Sequence, residues 1–531
     1  MAVVQEAPQP AAGRQWSPRV HDQLLRRLAA RADVPAEREP LAVEAPFTGE
    51  TLGSVPRATP DDMRAACEAA RRAQAEWGRV PVRTRARVLL TFHDLVIANA
   101  DEILDVIQLE SGKARRHALE EVLDTAISAR YDAHTAAAVL RLRRRQGALP
   151  LLTQTWEYHH PQGVVGFVAP WNYPLILGIT DAIPALAAGN AVVVKPDALT
   201  PFSTLWAARL LEEAGLPRGV LQIVTGRGSE LGPTMIGLVD YFMLTGSTAT
   251  GKRVACLAAE RLIDYSLELG GKNALIMLSD ADLGRAVPGA LRGIATNSGE
   301  CCVSIERVYA QRAVYPEVAS RLAQAFQGVK LGASLTFAED MGSLVSAEQF
   351  TKVQRHVEDA VAHGATLLAG GSARPDLGPY FFEPTLLAEV PPEAACFREE
   401  TFGPVAALSP FDGVDEVVAQ ANDTSYGLNA SVWTRQAAVG RAVAQRLQCG
   451  TVNVNEAYAA AWSSASPMGG FKESGVGRRH GSQGLLKYTQ AQTVAVQRLL
   501  AIDTPPFLSH GQYAAVMLLA VKALKHLPGV K

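Results

Sequence analysis

The sequence predicts an α/β protein organised around a parallel, doubly wound sheet. Three observations carry this. From residue 163 onward, short apolar runs of strand length alternate with helical stretches, glycine turns separate them, and the preceding segment 59–145 has helical composition. At 531 residues the chain is too long for one ordinary core, so two or three domains are expected.

The elements follow in order. Thr59-Pro60-Asp61-Asp62 supplies an N-cap, a first-turn proline and two acids suited to a helix dipole, ahead of an Ala- and Arg-rich stretch. The basic run RLRRRQ at 141–146 reads as a solvated or inter-subunit face, with an anionic partner as the alternative. VVGFVAP at 164–170 is a buried strand, a helical segment runs from Leu175 to Ala188 and stops at Gly189-Asn190, and AVVV at 191–194 is a second strand. Thr200-Pro201 opens a helix that ends at Gly215-Leu216-Pro217. Strand VLQIV (220–224), the glycine turn TGRGSELG and strand YFMLT (241–245) come next. A sheet of this kind takes its ligands at the carboxyl ends of its strands.

Composition narrows the function classes. Hydrophobic residues at 48% and charged residues at 20% describe a soluble globular protein, and a formal charge of −2 gives no global attraction to nucleic acid, so a small-molecule partner is expected. Six scattered cysteines (Cys67, Cys256, Cys301, Cys302, Cys396 and Cys449) form neither a disulfide framework nor a zinc site, and they read as reduced thiols in the cytoplasm. No metal site is expected. The N-terminal MAVVQEAPQPAAGRQW lacks the basic and apolar regions of a secretory signal, and no run approaches the ~20 apolar residues of a membrane span. The tail from Tyr513 to Leu527 is read as a helix docked on the body or a neighbouring subunit, rather than one lying on a membrane surface.

Four stretches carry chemistry. TGSTATGKR (245–253) fits G-x-x-x-x-G-K, but Arg253 replaces the hydroxyl that a P-loop needs for magnesium, so the stretch reads as a strand-to-helix phosphate cradle. VAPWNYP (168–174) sets Asn172 past a strand end, where its amide can donate to an oxyanion. LELGGKN (267–273) places Glu268 between leucines, which raises a carboxyl pKa and suits a general base. NSGECCVS (297–304) offers the vicinal thiols Cys301 and Cys302 after a glycine turn.

In combination these motifs resemble the aldehyde dehydrogenase superfamily from about residue 40 to about residue 498. The likeness rests on PWN, KPDALTP, TGSTATG, LELGGKN, GECC, EETFGPV and PMGGFKESGVGR in the family's order. The resemblance implies Cys302 as nucleophile, Glu268 as general base and Asn172 as oxyanion donor. For the cofactor it implies Trp171 and Asn172, Lys195 at the adenosine ribose with Pro196, Asp197 and Ala198 beside it, Gly246-Ser247 at the pyrophosphate, Leu269 facing the nicotinamide, and Glu400 and Phe402 at the nicotinamide ribose and ring. A thioester hydrolysed through Glu268 separates this reading from coenzyme-A-acylating relatives. A non-catalytic scaffold on the same fold is the competing reading, against which all three catalytic positions are filled.

Where many members carry an acid against the ribose hydroxyls, this chain has Ala198, which favours NADP; Asp197 beside it keeps NAD as the alternative. KPDALTP, GECCVSIERVY, MGSLVS and NDTSYGLNASVW are most similar to a bacterial succinate-semialdehyde dehydrogenase branch. Yet the two arginines that clamp the distal carboxylate in better-known members are Thr180 and Thr296 here, which leaves Arg307 or Arg292 as substitutes and a broader aliphatic or aromatic specificity as the alternative. Tyr458 and Trp462, in the loop 456–466, either line an apolar substrate tunnel or pack the loop.

The implied domains are a flexible lead-in at 1–40, a Rossmann-type cofactor domain at 41–148 and 164–269, an α/β catalytic domain at 270–480, a β-strand oligomerisation arm at 149–163 and 489–498, and a tail at 499–531. The arm implies a homodimer or homotetramer.

Overall fold

The computed structural model describes residues 15–147, 153–497 and 503–526, and two mainly parallel sheets organise it. The first runs, in spatial order, Gly475–Val476, Asp264–Glu268, Tyr241–Thr245, Val164–Val168, Ala191–Lys195, Leu221–Ile223. Tyr241–Thr245 and Ala191–Lys195 are buried along their whole length, which explains why they read as unbroken apolar runs rather than alternating ones. Val165 pairs with Val192 on one side and Tyr241 on the other, so the chain winds outward from Val164–Val168, then returns across it. That reversal leaves a crevice beyond the carboxyl ends of Val164–Val168 and Tyr241–Thr245.

Local chemistry sets the element boundaries. The helix Pro60–Trp77 begins in a capping box in which the Thr59 amide donates to Asp62 at 2.8 Å, with proline in its first turn. The segment after Leu175 forms two short helices, Ile176–Ile179 and Ala182–Ala188, and the second ends at Gly189 with φ 99°. The next residue, Asn190, ties that end down, its amide donating to the Ala185 and Tyr488 carbonyls and its oxygen accepting from the Gly163 amide.

The second sheet has the order Thr366–Ala369, Thr385–Ala388, Val405–Phe411, Ile305–Gln311, Asn273–Met277, Asn429–Trp433, Thr451–Val454, parallel except for the first pair. Its core joins Leu275, Val308, Leu386, Leu408 and Trp433.

Four expectations are corrected. The lead-in does not extend to residue 40, because His21 caps the helix Asp22–Ala29, whose Leu24, Leu25 and Leu28 are buried in the main core. The second unit does not run to 480: Gly475–Val476 pairs with Asp264–Glu268, and Leu485 and Tyr488 join the core of the first sheet's helices. RLRRRQ is not helical throughout, since Arg143–Gln146 is a strand pairing with Thr153–Pro161, which pairs in turn with Thr489–Gln497. These three strands make a separate antiparallel sheet; positions 149–152 and 498 of the expected arm fall outside the described residues. Finally, of the two dockings expected for the tail, that on the body is not seen: the helix His510–Leu524 buries no side chain against the described residues, and Leu518 and Leu519 are 72% and 69% exposed. Among the described residues no helix is long and apolar enough to cross a membrane.

The packing of the helix Asp22–Ala29 is testable. Leu24→Ala is expected to cost about 2–5 kcal/mol, as for other buried leucines, and to lower the thermal midpoint. An unchanged midpoint is the result that a loose lead-in would give.

Candidate active site

Five strand ends and loops converge on one cleft of about 730 Å³, lined among others by Trp171, Asn172, Gly246, Ser247, Glu268, Leu269, Cys302, Glu400 and Phe402. It lies in the crevice that the strand order creates. Most of the residues singled out from sequence are therefore brought together. Lys195, Pro196, Asp197 and Ala198 are not part of that lining; they follow the adjacent strand Ala191–Lys195, whose last residue pairs with Val168.

The glycine turn meets the cleft as a helix N-terminus. Ser247 caps the helix Thr248–Glu260 by accepting from the Thr250 amide, and the Gly246 amide donates to the Glu268 carbonyl at 3.0 Å. Lys252, the would-be P-loop lysine, is turned away and pairs with Glu473 at 2.7 Å. Amides at such an end, together with the helix dipole, suit a phosphate, and Trp171, Leu269 and Phe402 supply apolar faces for flat rings. The Trp171 and Phe402 rings meet edge to face at 5.4 Å. A nicotinamide dinucleotide fits this set.

The Phe402 loop is held from behind. Glu306 accepts from the Thr401 and Phe402 amides and pairs with Lys272, both charges being buried, while Gln349 donates to the Phe402 carbonyl at 2.5 Å. Phe402 itself sits at φ 56°, a strained conformation for a non-glycine that this clamp imposes. Glu400 accepts from the Gly271 amide at 2.7 Å, and burial pushes its carboxyl up to about 7. Glu400 occupies the space beside Gly270, so a side chain there would collide with its carboxylate.

Around the thiols the backbone is tightly fixed. Asn172 is 4% exposed and donates one amide hydrogen to the Glu300 carbonyl at 3.0 Å; the second is left for the cleft. The Asn172 carbonyl accepts from Lys113 at 2.7 Å and from Asn297 at 2.9 Å. Asn297 and Ser298 both have positive φ, and the turn closes through Gly299, where a side chain would run into the Gly403 carbonyl. Asn273 then donates to the Cys302 carbonyl at 2.8 Å and to that of Ser304 at 2.7 Å.

The titrating groups are strongly shifted. Glu268 is 3% exposed, its Oε2 has no hydrogen-bond partner among the described residues, and desolvation pushes it up to about 7 against the pull of Arg479 and Lys487. A hydrogen bond between the two thiols lowers Cys301 and raises Cys302 well above the usual thiol range, with burial adding to the latter and Arg479 opposing it. This shared proton belongs to the pair. Either sulfur can carry the first negative charge, and the cleft is lined by Cys302 but not Cys301.

On the other side of the thiols, Tyr173, Ile176, Leu177, Leu428, Tyr458 and Trp462 pack around Cys301 and Cys302. The packing reading of the Tyr458 loop is the one seen, since its rings pack beside the thiols and line none of the cleft that Cys302 opens into. Tyr458 Oη lies 3.3 Å from Glu120 and 3.4 Å from Thr296, while Thr180 donates its hydroxyl to the Ile176 carbonyl. Burial pushes Glu120 up to about 7. Arg307 is spent on the carbonyls of Lys272, Gln420 and Ala421, which excludes it from this region. Arg292 stays, 5.6 Å from the Tyr458 ring and paired with Glu456.

Sequence reasoning missed the supports: Lys113, Asn297, Asn273 and the Lys272–Glu306 pair. Asn273 and Lys272 stood inside LELGGKN and Asn297 inside NSGECC, but an amide or ammonium that serves a backbone carbonyl has no signature of its own.

Comparison with known proteins agrees with this geometry. Residues 34–494 match the model of the aldehyde dehydrogenase family. A protein of Mycolicibacterium smegmatis named "Putative succinate-semialdehyde dehydrogenase [NADP(+)]" is 49% identical over 506 residues, covering 95% of this chain and 98% of its own. A solved Escherichia coli structure described as an NADP-dependent enzyme superposes with a TM-score of 0.83 at 35% identity, covering 87% of this chain and 95% of that one. A Mycobacterium tuberculosis aldehyde dehydrogenase complexed with NAD+ gives 0.82 at 35% identity, covering 87% and 95%. Family match, relatives and fold together show that this chain belongs to the aldehyde dehydrogenase family.

Proposed function

We propose that this enzyme oxidises an aldehyde to its carboxylic acid with NADP, through Cys302. The observation that carries this reading is the convergence of Cys302, Glu268 and Asn172 on one cleft whose other wall is a helix N-terminus. The Cys302 thiolate attacks the aldehyde carbon, and the Asn172 amide and the Cys302 backbone N–H stabilise the resulting oxyanion. Trp171, Leu269, Glu400 and Phe402 would hold a nicotinamide in the cleft, which would supply the acceptor for the hydride lost from the former aldehyde carbon. Collapse of the oxyanion leaves a thioester on Cys302. Glu268 then takes a proton from water as the water adds to the thioester, the thiolate departs, and the acid is released.

Gly246 and Ser247 would hold the pyrophosphate, Leu269, Glu400 and Phe402 the nicotinamide riboside beside Trp171, and Lys195 with Pro196, Asp197 and Ala198 the adenosine end. Two features support NADP. The Asp197 carboxylate is already engaged, accepting from the Leu199 amide at 3.0 Å, and Ala198 offers no acid. Arg227 is exposed next to Gly228, whose missing side chain would meet the Lys195 ammonium. Arg227, one residue from that position, is the second cation we assign to a 2′-phosphate.

Succinate semialdehyde is the substrate we favour, supported by the motif wording and the names of the relatives, with Arg292 as the cation that meets its carboxylate. A second reading, neutral medium-chain or aromatic aldehydes, is favoured by the Tyr173, Tyr458 and Trp462 rings around the thiols. A free thiol nucleophile suits the reducing cytoplasm, and the exposed three-stranded sheet suits pairing in a homodimer or homotetramer.

Three measurements test these readings. Cys302→Ala should show no reduced nicotinamide formation, whereas Glu268→Gln should give a burst of about one equivalent per site and a steady rate lowered by roughly 10²–10⁴-fold; a normal steady rate for Glu268→Gln overturns the base assignment. Because Glu268 must be ionised to accept the water proton and its carboxyl sits at about 7, hydrolysis should weaken as the pH falls below about 7. Arg292→Ala should raise KM for succinate semialdehyde by about tenfold or more, the worth of a charged hydrogen bond, and leave a neutral aldehyde unaffected; equal effects on both support the second reading.

A further inference from the structure

Arg479 stands apart from the residues assigned above. It comes from GVGRRHG, lies almost fully buried, and is absent from the lining of the cleft. Its guanidinium is pinned from two sides, 2.5 Å from the Asp181 carboxylate and 2.7 Å from the Thr245 hydroxyl, to which it donates. Thr245 pairs with Glu268 across adjacent strands and lines the cleft next to Gly246. Asp181 is shared with Lys487 at 3.6 Å, and the Tyr488 hydroxyl lies 3.5 Å from it. The Arg479 backbone is fixed as well, by paired hydrogen bonds with Met468 of the cluster around the thiols. A buried ion pair of this kind is a poor device for stability, since the cost of desolvating both charges offsets their attraction.

We infer that Arg479, clamped by Asp181 and Thr245, is a positioning residue that holds a fixed positive charge behind Glu268 and Cys302. This rests on the proposed thiol mechanism. Such a charge favours the thiolate over the thiol and the carboxylate over the acid, the two states that the reaction starts from. It needs no reorganisation during turnover, because its partners hold it in place.

The surrounding charges agree. Arg479 is the strongest opposing influence on the upward shift of both Glu268 and Cys302. Lys487 and Arg478 also favour the Glu268 carboxylate, while Asp181 opposes it. Asp124, pushed up to about 7 by burial, faces Arg479 from the helix Arg115–Val139, and His480 is held down at about 4 by burial and is neutral at pH 7. Lys487 is further away in bonding terms, since it shares itself between Asp181 and the Ser266 hydroxyl.

Two profiles test the assignment in the full-length enzyme. The first is the pH dependence of kcat; the second is the pH dependence of iodoacetamide alkylation at Cys302 in a Cys301→Ala background, which needs no turnover. Arg479→Gln should move the midpoint of both upward by about one unit, lowering each rate about tenfold below the midpoint, and Arg479→Lys should restore most of the shift. Thr245→Val, which removes the uncharged half of the clamp and changes no charge, should move the alkylation midpoint upward as well, though less than Arg479→Gln; this arm stands even if Arg479→Gln does not fold. Midpoints that stay at the wild-type pH in all variants overturn the inference. If the wild-type protein oxidises no aldehyde, the proposed function fails, and the alkylation profile still decides the role of Arg479.

Discussion

The site depends on a small buried network around the Asn172 carbonyl. Asn172 follows a strand of the first sheet, while Asn297 and Glu300 precede a strand of the second, and Lys113 reaches in from the loop between two helices. Lys113 is itself paired at 2.6 Å with Glu121, which accepts from the Leu175 and Ile176 amides. A hydrogen-bonded chain therefore runs from the helical layer through the end of one sheet to the turn carrying the thiols of the other. Glu300 closes it by accepting from the Val345 amide. A fixed spacing between the Cys302 turn and the Asn172 amide follows from this network, because each polar atom has one low-energy arrangement in a water-poor setting.

The same dryness explains the acid–base chemistry. Glu268, Glu400 and Glu120 are all pushed up to about 7, in each case chiefly by desolvation. Their surroundings differ, and so do their uses. Glu400 is tied to the Gly271 amide, whereas Glu120 and Glu268 each keep one oxygen with no partner among the described residues; Glu120 lies against Tyr458, and Glu268 lines the cleft with Cys302. An unsatisfied buried carboxylate oxygen is costly in a resting protein. Beside Cys302 an oxygen of this kind suits the general base proposed above. In the thiol pair the shared proton lowers Cys301 and raises Cys302, so the pair favours the first negative charge on Cys301, next to the sulfur that lines the cleft.

Much of the fold was legible because its strands are buried on both faces and therefore read as continuous apolar runs. Thr59 to Asp62 and Gly189-Asn190 announced their helix ends through local chemistry that needs no tertiary partner. The errors arose where a local pattern was overruled from a distance. Residues 22–29 looked like part of a Pro/Ala lead-in, yet Leu24, Leu25 and Leu28 find a core built from later elements. RLRRRQ has the charge of a solvated helix face but pairs as a strand with Thr153–Pro161, a long-range partner that its own residues do not encode. The tail helix was expected to dock from its apolar content alone, and within this chain nothing covers it. At the site, the residues to which chemistry is assigned came from motifs. Those that hold their backbone in place, Asn273 and Asn297, required the three-dimensional arrangement.

Substrate selection turns on the same distinction between residue identity and aim. Thr180 and Thr296 replace two arginines, but the loss is not a simple subtraction. Thr180 folds back onto its own helix, and Thr296 joins Tyr458 and Glu120 in a polar edge on an otherwise aromatic wall. Of the two arginines near in sequence, Arg307 is consumed by three backbone carbonyls, and the fork geometry that would clamp a carboxylate is spent on tying the helix Val414–Asn422 to Lys272. Arg292 remains, half-exposed and already paired with Glu456. A substrate carboxylate must therefore compete with Glu456 for one guanidinium, whereas two free arginines would have met it without competition. Under the proposed function, the balance between that exchange and the apolar surface of Tyr173, Tyr458 and Trp462 would set how an aldehyde acid competes with a neutral aldehyde.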